Sequence, residues 1–72
     1  MKATAQYVSS QIYETRNGRK KYECVCKYIN KNNEAREVWA KIYANNIVCI
    51  DDELYINWDS NRKEWYGVSS KG

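Results

Sequence analysis

Histidine, proline and phenylalanine are all missing from this 72-residue chain, and glycine and cysteine occur three times each. Without histidine the commonest acid, base and metal ligand near neutral pH is gone, so acid-base chemistry would rest on carboxylates, tyrosines or thiols alone. The three glycines, Gly18, Gly67 and Gly72, form no glycine-rich phosphate loop. The longest apolar run, Ile47-Val48-Cys49-Ile50, falls far short of the roughly 20 residues of a membrane-spanning helix. Met1 to Gln6 holds no apolar signal-peptide core, which gives the expectation of a protein that stays in the cytoplasm where it is made, with no membrane partner. The length allows one small domain over 1–72 with a single core.

What is present is a globular composition: 43% hydrophobic, 29% charged and 14% aromatic. Twelve basic and nine acidic residues leave a net charge of +3, which permits an anionic partner without demanding one. Lys, Asn, Ile and Tyr together make 29 residues, all with AT-rich codons, as in many phages and mobile elements. Cys24, Cys26 and Cys49 supply three thiolates where a closed zinc site wants four nitrogen or sulfur ligands. The expectation is therefore reduced thiols with no metal and no cofactor, Cys24 and Cys26 acting as small hydrophobes on one strand face. A nucleophilic enzyme needs a base beside its thiol or hydroxyl, and Glu23 points away from its neighbour Cys24 on a strand, so catalysis is not expected. Asp51-Asp52-Glu53 reads as a solvated turn, because adjacent residues on a tight turn diverge.

Asn17-Gly18 between alternating segments signals a two-residue hairpin turn. Its register pairs Arg16 with Arg19, Glu14 with Lys21, Tyr13 with Tyr22, Gln11 with Cys24 and Tyr7 with Tyr28. One face then holds Tyr7, Ser9, Gln11, Tyr13, Tyr22, Cys24, Cys26 and Tyr28. From Asn33 the period changes: Ala35, Val38, Trp39, Ile42 and Tyr43 form a helical stripe, with Asn32 or Asn33 as cap and Asn45-Asn46 as stop. Three further strands follow, Ile47 to Ile50, Glu53 to Asp59 and Arg62 to Ser69, with Ile56 opposite Trp65. The expected fold is α+β with two layers: a five-stranded antiparallel sheet, β-β-α-β-β-β in spatial order 2-1-3-4-5, and one helix on one face. Trp39, Ile42, Ile47, Cys49, Leu54, Ile56 and Trp65 are the expected core.

The uncovered face would present Val8, Ile12, Val25, Val48, Ile50, Tyr55, Tyr66 and Val68 among charged residues. An apolar patch rimmed by charge marks an interface, for a foreign partner or for a second copy in a homodimer. The alternative is that the first hairpin buries its opposite face. Arg16, Arg19, Lys20 and Lys21 crowd the first hairpin tip, and Arg62 and Lys63 the last; such tips suit phosphate contact, or are solvated turns. With Tyr55 and Tyr66 as aromatic anchors paired on the open face, these are the candidate binding residues.

In its order of elements the chain resembles the small phage anti-CRISPR proteins with a five-stranded antiparallel sheet and one helix. The residues that carry the resemblance are Met1-Lys2-Ala3-Thr4, Glu34-Ala35-Arg36, and Leu54-Tyr55-Ile56-Asn57-Trp58 with Arg62-Lys63-Glu64-Trp65. It implies a phage or mobile-element protein that inhibits a host nucleic-acid-handling complex, the type I-F CRISPR surveillance complex, by competing with target DNA through basic residues. Cys24, Cys26 and a longer first hairpin depart from that pattern. Gly18-Arg19-Lys20-Lys21-Tyr22 through Lys27-Tyr28-Ile29 also looks like the arm-type DNA-binding domain of phage integrases, which ends after its helix, whereas three strands are expected here. It implies a small DNA-binding accessory module.

Overall fold

A computed structural model describes residues 1–10 and 13–71. Six strands are present, β1 (Lys2–Val8), β2 (Tyr13–Glu14), β3 (Lys20–Ile29), β4 (Ala35–Ala44), β5 (Glu53–Asp59) and β6 (Glu64–Ser69), and no helix occurs among the described residues. The expected α+β layering is thereby corrected, and the helix shared by both resemblances is the strand β4.

Two periods overlap in that segment. Ala35, Val38, Trp39, Ile42 and Tyr43 fit a helix, but Val38, Ala40, Ile42 and Ala44 also alternate with Glu37, Trp39, Lys41 and Tyr43. Counting the alanines as apolar completes a period of two, and Val, Trp, Ile and Tyr favour strands. β3 pairs with β4 along its length, from Ile29–Ala35 to Lys20–Ala44. The asparagines expected to cap a helix instead make the hairpin turn: the Asn30 side-chain oxygen accepts the Asn32 and Glu34 amides, each at 2.9 Å, and Asn33 takes a φ of 62°.

β1 runs antiparallel to both β3 and β5, β5 antiparallel to β6, and β6 parallel to β4. Following neighbours, β1-β3-β4-β6-β5 returns to β1, a closed five-stranded Greek-key barrel with β2 as a short extension on β3. β1 serves two partners because its register with β3 shifts between Ala5 and Tyr7, a bulge that bends the strand. The expected sheet order 2-1-3-4-5 fails because 47–50 is not a strand. That run crosses the barrel end, with Val48 buried and Ile47, Cys49 and Ile50 outside. Its polar groups are satisfied locally: the Cys49 amide donates to the Asp52 carboxylate at 2.7 Å, and the Asp51 amide donates to the Ala5 carbonyl at 2.7 Å.

The barrel interior is narrow. Ala3, Ala5, Cys24, Cys26, Ala40 and Ala44 line it beside Tyr22, Ile42, Leu54 and Ile56. Of the expected core, Ile42, Leu54 and Ile56 are inside and Trp65 packs against it, whereas Trp39 (59% exposed), Ile47 and Cys49 lie outside. The hairpin registers explain which expectations survived. The last hairpin has a four-residue loop, with Asp59 opposite Glu64 and Ile56 opposite Gly67 rather than Trp65. That slip of two positions leaves every side chain on its expected face. In the first hairpin the Gly18 amide donates to the Thr15 carbonyl and Gly18 sits at φ 76°, a three-residue loop in place of two. Tyr13 therefore faces Lys21, not Tyr22, and stands outside. The supposed Arg16–Arg19 pair is replaced by the loop, and Tyr7 opposes Val25 instead of Tyr28. Gln11 and Ile12, with their expected pairings, lie outside the described residues.

Gly67 marks where three strands meet most closely. A Cβ there would strike the Tyr55 carbonyl oxygen and come within 2.8 Å of Ile56 Cγ2 and 3.0 Å of Ile42 Cδ1. Gly67→Ala should cost about 3 kcal/mol in urea unfolding, a large share of what so small a core supplies; an unchanged midpoint would show that the strands can part. Burial raises the Cys24 thiol to about 12, with Cys26 adding to the shift, and the Cys26 thiol to about 11. Iodoacetamide at about pH 8 should therefore label Cys49 alone in the native protein and all three cysteines after denaturation, read by mass.

Candidate binding face

The registers place the outward side chains in rows across the barrel. Tyr7, Val25 and Trp39 form one row over β1, β3 and β4. Glu23, Lys41, Tyr66 and Asn57 form the next, and Tyr13, Lys21, Tyr43, Val68 and Tyr55 a third. Tyr7 and Trp39 meet edge to face at 5.8 Å and are 51% and 59% exposed, so aromatic surface is left open. Tyr43 and Tyr66 stack nearly parallel, 6° apart, with centroids 6.3 Å apart.

Charge holds this second pair in place. Lys41 Nζ donates to both Glu64 oxygens at 3.1 Å, the Tyr66 hydroxyl donates to Glu64 Oε2 at 2.6 Å, and Arg62 Nη1 donates to the Tyr66 oxygen at 3.1 Å. The Arg62 guanidinium lies 5.5 Å and the Lys41 ammonium 5.7 Å from the Tyr66 ring centre. The Tyr66 hydroxyl and Lys41 hold the Glu64 carboxyl below the usual carboxylate range, while the bond to Glu64 raises Lys41.

The eight residues expected to bind divide into three groups. Tyr66 and Arg62 belong to the network on the face, Lys21 sits opposite Tyr43 on the same face, and Lys63 borders a cleft next to Trp39. Arg16, Arg19 and Lys20 are on the projecting β2–β3 hairpin, and their side chains, like those of Lys21 and Lys63, make no ion pair among the described residues. Tyr55 points outward but lies beyond β6, opposite Val68, where its hydroxyl donates to Glu53. The expected Tyr55–Tyr66 pairing is thus corrected, Asn57 being the residue opposite Tyr66. Of the apolar residues expected on the open face, Val48 is buried.

Sequence reasoning missed Tyr7, Trp39, Lys41 and Tyr43, having given Tyr7 and Trp39 to the interior. The signal for them was the alternation Glu37, Trp39, Lys41, Tyr43, in which aromatics and charges share one strand face.

Among the described residues no group of three or more cysteines, aspartates and glutamates is placed to hold a metal, and no helix is long and apolar enough to cross a membrane. Without β2, the barrel reads 1-2-3-5-4-1 in chain order with its third and fifth strands parallel, the connectivity of the OB-fold. In that class the outer face of the second and third strands binds ligands, flanked by the connections between the first and second and between the fourth and fifth strands; here those strands are β3 and β4, and the connections run from β1 to β3 and over 60–63. No protein-family model, curated protein or solved structure matches the chain.

Because the folded-state pKa of Glu64 is depressed, its contribution to stability is complete above the ordinary glutamate range and fades as pH falls through the lowered value. A carbon-13 titration should find the Glu64 midpoint below the usual glutamate range. Tyr66→Phe and Lys41→Met should each move it upward, and a midpoint at or above the usual glutamate range in the parent protein would dissolve the network.

Proposed function

We propose that this protein is a cytoplasmic single-stranded nucleic-acid-binding module rather than an enzyme, with the outer face of β3 and β4 as its platform. The observation that carries this reading is the open aromatic surface of Trp39 and Tyr7 on the face that OB barrels use, with Lys63 lining the same cleft as Trp39 and Lys21 two rows along the face, both cations without an ion pair among the described residues. Every base has a π face, so stacking on such rings works without sequence reading and contributes about 1–3 kcal/mol per base. Cations along the path follow the phosphates, and the basic hairpin of Arg16, Arg19 and Lys20 extends that path beyond the barrel. Single strands fit better than duplex, because bases must be unstacked to lie on Trp39.

A second reading keeps the phage-encoded inhibitor of a host nucleic-acid-handling complex, such as a CRISPR surveillance complex. It is favoured by Ile47 and Ile50, which are 65% and 60% exposed and offer apolar contact apart from the cationic face. A homodimer could use the same two side chains.

Fluorescence anisotropy with a labelled oligothymidylate separates these readings. A module that engages about three phosphates should show log affinity falling against log salt with a slope near −2 between about 50 and 200 mM. Replacing Arg16, Arg19 and Lys20 together should flatten that slope, and Trp39→Ala should weaken binding about tenfold with the melting temperature unchanged, since this side chain stands outside the core. No binding at the lowest salt would sink the module reading, and salt-insensitive capture of a host complex would favour the inhibitor.

A further inference from the structure

The proposed face has a feature that plain stacking does not use. β4 and β6 pair only from Ala40–Trp65 onward, so the first half of β4 stands apart from the β5–β6 hairpin. A cleft of about 260 Å³ opens there, with Glu23 and Trp39 contributed by the sheet and Trp58, Lys63 and Trp65 by the hairpin. Trp58 and Trp65 meet edge to face at 5.6 Å. That volume is below the range of about 300–1,000 Å³ that whole small-molecule ligands occupy, and suits a single flat heterocycle whose sugar and phosphate stay outside.

The cleft holds two carboxylates of unlike availability. Glu64 is taken: both its oxygens accept from Lys41, and one also accepts from the Tyr66 hydroxyl. Glu23 is exposed and makes no ion pair or side-chain hydrogen bond among the described residues, its charge acting only through space on Lys41, the residue opposite it on β4. An ionised carboxylate only accepts, and its two oxygens suit two parallel N–H donors. Guanine presents that pair, N1–H and the N2 amino group, on one edge. Adenine and cytosine set an acceptor nitrogen beside their amino group, and thymine flanks its one N–H with carbonyls, so each would bring a lone pair against a carboxylate oxygen.

Resting on the single-strand reading above, we propose that this cleft is a guanine subsite. The base stacks on Trp39, its N1–H and N2 amino groups donate to Glu23, and its phosphate meets Lys63. Glu23 is the residue that confers base preference, and Trp39 is shared with general binding.

The test compares a short oligothymidylate with the same oligomer carrying one central guanine, by anisotropy at low salt. The guanine oligomer should bind about tenfold tighter, the scale of one bidentate base contact. Inosine in the same place, which lacks the N2 amino group, should fall between the two. Glu23→Gln should erase the guanine gain, bringing the ratio of the two affinities to about one, while the loss of a negative charge strengthens both affinities alike. Equal affinity for the two oligomers, or a guanine gain that survives Glu23→Gln, overturns the subsite and leaves the single-strand reading standing. If neither oligomer binds, both fall together.

Discussion

The architecture depends on how closely β6 can lie against its two neighbours. At Gly67 the chain passes the Tyr55 carbonyl and the side chains of Ile56 and Ile42 with no space for a methyl group. That approach lets β6 pair antiparallel with β5 and parallel with β4, and the parallel join turns a meander into a closed barrel. The rest of the interior follows the same economy of volume. Four alanines and two cysteines take inward positions that larger residues would overfill, and Val48, dropped in from the β4–β5 connection, covers one end.

A narrow interior determines where the aromatics go. Of seven tyrosines and three tryptophans, Tyr22 is the one that the described core takes in whole. Trp58, Trp65 and Tyr28 gather where the strands part, with Trp65 in ring contact with both others. Tyr7, Trp39, Tyr43 and Tyr66 are left on the outer surface of the barrel, against one another. The aromatic platform is thus the complement of a core built from small side chains. The Lys41–Glu64–Tyr66–Arg62 network sets part of that platform rigidly, while Trp39, Lys21 and Lys63 remain available.

Charge on the face is mixed, and this shapes the kind of binding it supports. Glu64 neutralises Lys41 locally, so cations without an ion pair among the described residues lie on the hairpin and at Lys63 on the rim rather than in the middle of the sheet. Stacking in the centre and cations at the edges is an arrangement suited to bases lying inward with their backbone running around them.

The alternation within β3 and within β5 determined by itself that Tyr22, Cys24 and Cys26 share one strand face and that Leu54 and Ile56 share another, because residues two apart on a strand point the same way whatever the register; that both faces line one interior was decided by the closure of the barrel. The basic character of both hairpin tips was equally legible, since exposed turn charges depend on no distant partner. The segment 35–44 was not, because its apolar residues satisfy periods of 3.6 and two alike, and only pairing with β3 on one edge and β6 on the other decides between them. The same holds for Trp39 and Tyr7, which are as apolar as any core residue. Closure of a barrel too narrow to hold them, a property of five strands together and of no local window, put them outside and made an exposed aromatic face of them.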